Sequence, residues 1–193
     1  MKALKVYLVW SIVALVSVYL IGCDGGSSHP ASAKKEVNQL SESTPLSAEK
    51  EVAQLSESTP PAITKLAPIL SGGKCNMDSV NGADWSINPK PFVAAQNDTI
   101  LIRGWGVDEM LKRIPSSVFL RVQLGERILY SETKNMERVD VAKYFNEEYY
   151  KNSGFQANVS LSHLSPGEYQ LMIVMTFPDK AILCSAGRVL VVK

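Results

Sequence analysis

Histidine is nearly missing from this chain: His29 and His163 are the only two in 193 residues. Neither stands near Cys75 or Cys184, and two histidines offer no multi-histidine metal centre and little from which to assemble a histidine-based catalytic triad. There is no GxSxG elbow, no HExxH and no phosphate-binding glycine loop. Gly104-Trp105-Gly106 is too short to cradle a nucleotide, and glycines beside a tryptophan in a strand mark close packing or a bulge. Lysine and arginine never cluster and the formal net charge is +1, which argues against nucleic acid as a partner. Aromatic residues are wholly absent from Gly25 to Gly73. These absences exclude most enzyme classes and leave no cofactor or metal to expect.

Cysteine is scarce too, with three in all, and each has a distinct place. Lys2 and Lys5 give a positive start, Val6 to Ile21 is mostly apolar, and Leu20-Ile21-Gly22-Cys23 closes the run. This stretch resembles the lipobox of bacterial lipoprotein precursors. The resemblance implies a signal peptide over 1–22, removed before Cys23, and a thioether-linked diacylglycerol and an N-acyl chain such as palmitate on Cys23. Several chains together make a stable anchor where one is marginal. The competing reading is an uncleaved N-terminal anchor, although the run is short for a membrane span. Both readings put the remainder outside the cytoplasm. Asp24 resembles the inner-membrane retention signal of enteric bacteria, favouring a periplasm-facing inner-membrane position, with the outer membrane the alternative.

Outside the cytosol, Cys75 and Cys184 are then expected to form a disulfide. Closing so long a loop stabilises by about 4 to 5 kcal/mol in the chain-entropy model. A metal site or reactive thiol is the alternative, but there is no CxxC spacing to support it.

Residues 23–73 read as a lipidated N-terminus followed by a disordered linker. Within them Ser32 to Pro45 recurs, fifteen residues later, as Ser47 to Pro60, and only Lys34 against Glu49 and Asn38 against Ala53 differ. Val37 and Leu40 fit one helical face, but Pro45, Pro60 and Pro61 prevent a sustained coiled coil. A composition this polar cannot offset the entropy of ordering. Ile63 to Leu70 turns apolar again, and either docks on the domain or continues the linker.

From 74 to 193 the texture becomes short alternating runs. Val118, Leu120, Val122 and Leu124 recur at a period of two with Arg121 and Gln123 between them, and Phe155, Ala157, Val159 and Leu161 alternate with Gln156, Asn158 and Ser160. Tyr169, Leu171, Ile173, Met175 and Phe177 alternate with residues that are themselves partly apolar. Further strands are expected over Cys75–Val80, Thr99–Val107, Arg127–Thr133 and Ala181–Val192, with turns at Gly125-Glu126 and Pro178-Asp179-Lys180. One helix is expected over Val141–Glu148, capped by Asp140 and burying Val141 and Phe145. The fold class is therefore all-β, an antiparallel sandwich with one short helix. Leu164-Ser165-Pro166-Gly167-Glu168-Tyr169 resembles the tyrosine corner of immunoglobulin-like domains, which makes that architecture the specific expectation.

For binding, Trp85, Tyr130, Tyr149 and Tyr150 would suit a sugar platform, and Phe119 falls on the polar face of its strand. Trp105 reads instead as a core tryptophan. Asp78, Asp84, Asp98, Asp108, Glu109 and Asp140 are the carboxylates from which a glycosidase pair could be drawn, but most stand beside turn residues, where Asp serves the backbone.

Gly104-Trp105-Gly106-Val107-Asp108, Val118 to Leu120, Arg138-Val139-Asp140-Val141-Ala142, Ser153-Gly154-Phe155 and the Pro166-Gly167-Glu168-Tyr169 turn, within about Ile100 to Val191, together resemble a small sandwich domain appended to bacterial membrane glycosyltransferases and found in some envelope proteins. Members often carry Pro where Val139 stands, and many lack the cysteine pair. The resembling part is an accessory domain, so no catalytic residue carries over. What it implies is a place in envelope biology. The leading expectation is a membrane-anchored, non-enzymatic domain that engages an envelope protein; a carbohydrate-binding module for envelope glycan is the alternative, and a carboxylate-based glycan-modifying enzyme the third.

Overall fold

Alternation of apolar and polar residues builds two sheets whose apolar faces meet. The computed structural model describes residues 51–86 and 90–193, so the signal segment 1–22, Cys23, His29 and the first repeat lie outside the described residues. The elements are α1 (Pro61–Thr64), β1 (Leu70–Ser71), β2 (Lys74–Val80), β3 (Ala83–Asp84), β4 (Phe92–Ala94), β5 (Thr99–Val107), β6 (Ser117–Leu124), β7 (Arg127–Glu132), β8 (Lys134–Met136), α2 (Val139–Phe145), β9 (Gly154–Ser160), β10 (Gly167–Thr176) and β11 (Ala181–Val192), with a 3-10 turn over Glu148–Asn152. One sheet runs β3-β2-β5-β9-β8 and the other β1-β11-β10-β6-β7, with β4 pairing along β11 beside β1. All pairings are antiparallel except those of β1 and β4 with β11.

Period-two patterning decides which side chains enter the core. Ile100 and Ile102 of β5, Leu120 and Val122 of β6, Phe155 and Ala157 of β9, and Leu171 and Ile173 of β10 all lie there, nearly inaccessible to solvent. Glycine lets β5 approach its neighbours: a Cβ on Gly104 would meet Asn76 O at 2.1 Å, and one on Gly106 would meet Met175 Sδ at 2.6 Å. Cys75 on β2 and Cys184 on β11 form the expected disulfide, their Cα atoms 6.2 Å apart, and it ties one sheet to the other. The Tyr169 hydroxyl donates to Ser165 O at 2.8 Å across the turn before β10, which is the hydrogen bond a tyrosine corner requires.

Residues 51–62 correct the linker expectation, and of the two readings of Ile63 to Leu70 the docked one holds. Ala53 pairs with Val159 of β9 and Ser56 with Tyr130 of β7, so the segment stitches an edge of one sheet to an edge of the other. Leu55, 8% exposed, enters the core between them. The chain then turns through α1, where Pro61 occupies the first turn, a position that needs no amide donor. There Ile63 packs with Phe119, Tyr130, Val174 and Ala181, flanked by Leu66 and Ile69. The physical reason is the second apolar face of β10 and β6. Left bare it would be a large exposed hydrophobic patch, and the polar-looking segment carries just enough apolar residues to cover it.

The helix is also displaced from expectation. α2 begins at Val139, and Asp140 lies in its first turn and makes no cap. Asn146, in the left-handed conformation, ends it. Val141 and Phe145 do face inward, with Val107 and Tyr150.

Candidate functional site

The site is a cleft on the outer face of the β2–β5 sheet, between the β2–β3 hairpin and α2. Its cause is local. β2 carries a bulge at Asp78, because Met77 pairs with Gly104 while Ser79 pairs with Arg103. Bulges re-aim side chains and recur beside functional sites. Here the bulge sends the Asp78 carboxylate toward Arg138, just ahead of α2, and the two form an ion pair.

Arg138 is the hub. Its Nε donates to Asp140 Oδ1 at 2.8 Å and its Nη2 to Asp140 Oδ2 at 2.6 Å, a bidentate pair. Its Nη1 donates to Asp78 Oδ2. The other Asp78 oxygen accepts from Asn76 Nδ2 at 2.8 Å, and Asn76 Oδ1 accepts from Arg188 Nη2 at 2.9 Å. Arg188 is itself buried, with its guanidinium over the Trp85 ring. A continuous polar chain thus links β11 through β2 to the start of α2. Gly154 makes room for it, since a Cβ there would meet Arg138 Cγ and Met136 O at 2.4 Å each. Arg138-Val139-Asp140 and Ser153-Gly154-Phe155 are therefore parts of one construction: the arginine fixes the helix start and the glycine lets it lie flat.

The cleft beside this network has a volume of about 740 Å³ and is lined chiefly by Trp105, Tyr144, Phe145, Arg138, Asp78 and Asp140, with Asp84 at the hairpin. Trp105 meets Phe145 edge to face at 5.5 Å, and Tyr144 meets Phe145 at 5.0 Å. Tyr144 is 82% exposed. Asp84 Oδ1 accepts from the Ser86 amide at 2.8 Å and its hydroxyl at 2.6 Å.

The charges of Arg138 and Asp140 stabilise each other. Hydrogen bonding to Arg138 holds the Asp140 carboxyl below its ordinary range, against the opposing effect of burial. Asp140 raises Arg138 in turn, aided by Asp78. A glycosidase needs one carboxyl pushed upward to donate a proton; Asp140 is pushed the other way. The remaining carboxylate candidates lie elsewhere. Asp98 accepts from the Ala95 amide at 2.8 Å, and Glu109 pairs with Lys74 at 2.7 Å. Asp108 is buried and held by Lys180 at 2.8 Å and Arg113 at 3.4 Å. Burial opposes its charged form, but Lys180, the Leu111 amide and Arg113 together keep its pKa lowered. Among the described residues no group of three or more His, Cys, Asp or Glu is placed to hold a metal ion.

Four of the five aromatics expected to bind are inside the protein. Trp85 is 3% exposed, packs on Phe92 and donates its Nε1 proton to Lys90 O. Phe119 and Tyr130, both buried, lie under α1, and Tyr150 is closed in with Val107 and Phe145. Burial also raises the Tyr150 hydroxyl above its ordinary pKa. Tyr149 is 44% exposed, but its hydroxyl donates to Lys112 O at 2.7 Å and it lies outside the cleft. Trp105, expected in the core, instead faces outward beneath α2 and stays half-buried. His163 is an exposed turn residue. Tyr144 is absent from the sequence expectations although its position carries a signal: Val141 and Phe145 define the inward face of α2, and Tyr144 falls off it.

No protein-family model, curated protein or solved structure matches this chain.

Proposed function

We propose that this chain is a lipid-anchored envelope protein whose sandwich is a non-enzymatic interaction domain, binding a protein partner in the cleft between α2 and the β2–β3 hairpin. The observation that carries the reading is Tyr144, an almost fully exposed aromatic at the rim of a cleft backed by Trp105, Phe145 and Arg138. Tyrosine, tryptophan and arginine are enriched among the residues that carry interface energy, and an apolar concavity with a few convergent polar groups is the default place for a binding site. The lipid anchor on Cys23 rests on the lipobox-like Leu20 to Cys23 run. Among the described residues no helix is long and apolar enough to cross a membrane.

An immunoglobulin-like assignment is supported by the strand order, in which β2, β5, β9 and β8 form one sheet and β11, β10, β6 and β7 the other. The Tyr169 corner adds to it.

The test places a photo-crosslinking side chain at 144 and, as a control, at 93, an exposed position outside the cleft, in the anchored protein in cells. The reading expects a discrete protein adduct from 144 alone, unaffected by glycan-degrading enzymes. A glycan adduct that those enzymes remove would make the domain a carbohydrate module instead, and equal labelling from both positions would overturn the cleft. A Cys23→Ala chain is expected in the soluble fraction; its retention in membranes after signal cleavage would overturn the anchor.

A further inference from the structure

The docked segment 51–60 is the second copy of a repeat whose first copy, 36–45, differs from it only at Asn38 against Ala53. Every contact that seats the second copy has its counterpart in the first. Leu55, buried between the sheets, corresponds to Leu40. Glu51, paired with Lys134 at 2.8 Å, corresponds to Glu36, and Glu57, paired with Arg127 at 2.7 Å, corresponds to Glu42. The other hydrogen bonds engage only the segment's main chain: Ala53 N donates to Asn158 O at 2.8 Å, Ser160 N to Ala53 O at 3.4 Å and Asn158 Nδ2 to Glu51 O at 3.2 Å, and Ser56 and Tyr130 bond reciprocally at 2.9 and 2.8 Å. Such bonds are indifferent to the side chain, so Asn38 can make those of Ala53. A main-chain ladder supplying affinity, with one apolar pocket supplying register, is how sheet edges recognise extended peptides.

From this we infer that the β7–β9 groove is a peptide-binding site with two ligands in its own chain, and that 36–45 exchanges with 51–60 for the same seat. The second copy leads, because it runs directly into α1 and places alanine where the first has the larger, polar Asn38. Seating the first copy loops out 46–60, and the entropy of closing that loop is a further reason that the second copy leads. On the anchoring proposed above, the exchange shortens the sequence between Cys23 and the seated copy by fifteen residues, with the fold and the cleft unchanged.

The exchange is read in the full-length chain by a zero-length carbodiimide, which joins Lys134 to whichever glutamate is seated beside it, followed by mass spectrometry of the linked peptides. The unaltered chain is expected to give mainly the Lys134–Glu51 link. Leu55→Asp should raise the ratio of Lys134–Glu36 to Lys134–Glu51 by more than about tenfold, given what burying a charge in place of leucine costs. Adding Leu40→Asp should abolish both links. A Lys134–Glu36 yield no higher in Leu55→Asp than in the double variant would overturn the inference. So would Lys134–Glu36 links that join labelled to unlabelled chains in an isotopic mixture, since those report exchange between molecules. If Leu55→Asp fails to fold, Ala53→Pro removes the amide that bonds Asn158 and unseats the second copy without burying a charge. The same ratio is then read, with the same outcomes deciding.

Discussion

The two outer faces of the sandwich are covered in opposite ways. Over β6, β7, β10 and β11 the cover is α1 and the chain around it, and the contact is dry: Ile63 is 1% exposed, and Phe119, Tyr130, Val174 and Ala181 beneath it are all buried. Over β2 and β5 the cover is α2, held at its start by Arg138, and it leaves Trp105 and Phe145 partly open beside an exposed Tyr144. One face is sealed by hydrophobic burial and the other is propped by an ion-pair network. Burial closes a surface because every apolar atom gains by contact, whereas a charged hub fixes a position without filling the space beside it. The difference separates the face that is closed by packing from the face that, on the function proposed above, meets a partner.

The sharpest way to break this comparison is to weaken the sealed face. Ile63→Ala removes a buried aliphatic side chain from a packed site and is expected to lower stability by about 3 kcal/mol, measured by urea denaturation of the oxidised protein. Labelling through position 144 should be unchanged. A loss under about 0.5 kcal/mol would mean that α1 rests on the sheet without contributing to the fold, and the contrast between the faces would collapse.

On the propped face the expected losses are smaller. Arg138→Ala leaves the Asp78 carboxylate, 23% exposed, without its guanidinium. A penalty of about 1 to 2 kcal/mol follows, below that of a fully buried pair. Asp140 is 67% exposed in the same pairing, so its own share is at the screened end of the range. Its sign is fixed by the depressed folded pKa. The contribution is complete above the unfolded carboxyl value of about 3.9 and is lost as pH falls through the folded value. An Asp140→Asn variant should therefore differ from the parent near neutral pH and converge with it in acid. Convergence as pH rises instead would refute the pairing.

What could be read in the sequence and what could not divides along the same lines. Strands β5, β6, β10 and β11 are long enough to show a period of two, and Cys75 and Cys184 were the pair left once Cys23 was assigned to lipid. Strands β1, β3, β4 and β8 have two or three residues each, too few for any period to appear. Trp105 shares its face of β5 with the exposed Thr99 and Arg103, a parity that points outward; Gly104 and Gly106 obscure it, because they leave the core-facing side beside the tryptophan without a side chain. Phe119 and Tyr130 looked available because their cover comes from a segment of linker-like composition, and nothing local to β6 or β7 announces it. The bulge at Asp78 that creates the cleft depends on pairing between β2 and β5 and has no signature in β2 alone.

Tyr144→Ala separates recognition from stability most cleanly, because it is expected to do nothing to the fold. The side chain is 82% exposed and its ring contact is with Phe145, which keeps Trp105 and Tyr150 as neighbours. Stability should therefore change by less than about 0.5 kcal/mol. Binding is another matter, since truncating an aromatic anchor at the centre of an interface commonly costs about 2 kcal/mol, close to thirtyfold in affinity. With the partner captured through position 144 in hand, titration of the parent and Tyr144→Ala chains reads that ratio directly. An unchanged affinity in a variant of unchanged stability would show that the exposed ring is incidental. The open face would then owe its shape only to the short helix that covers it.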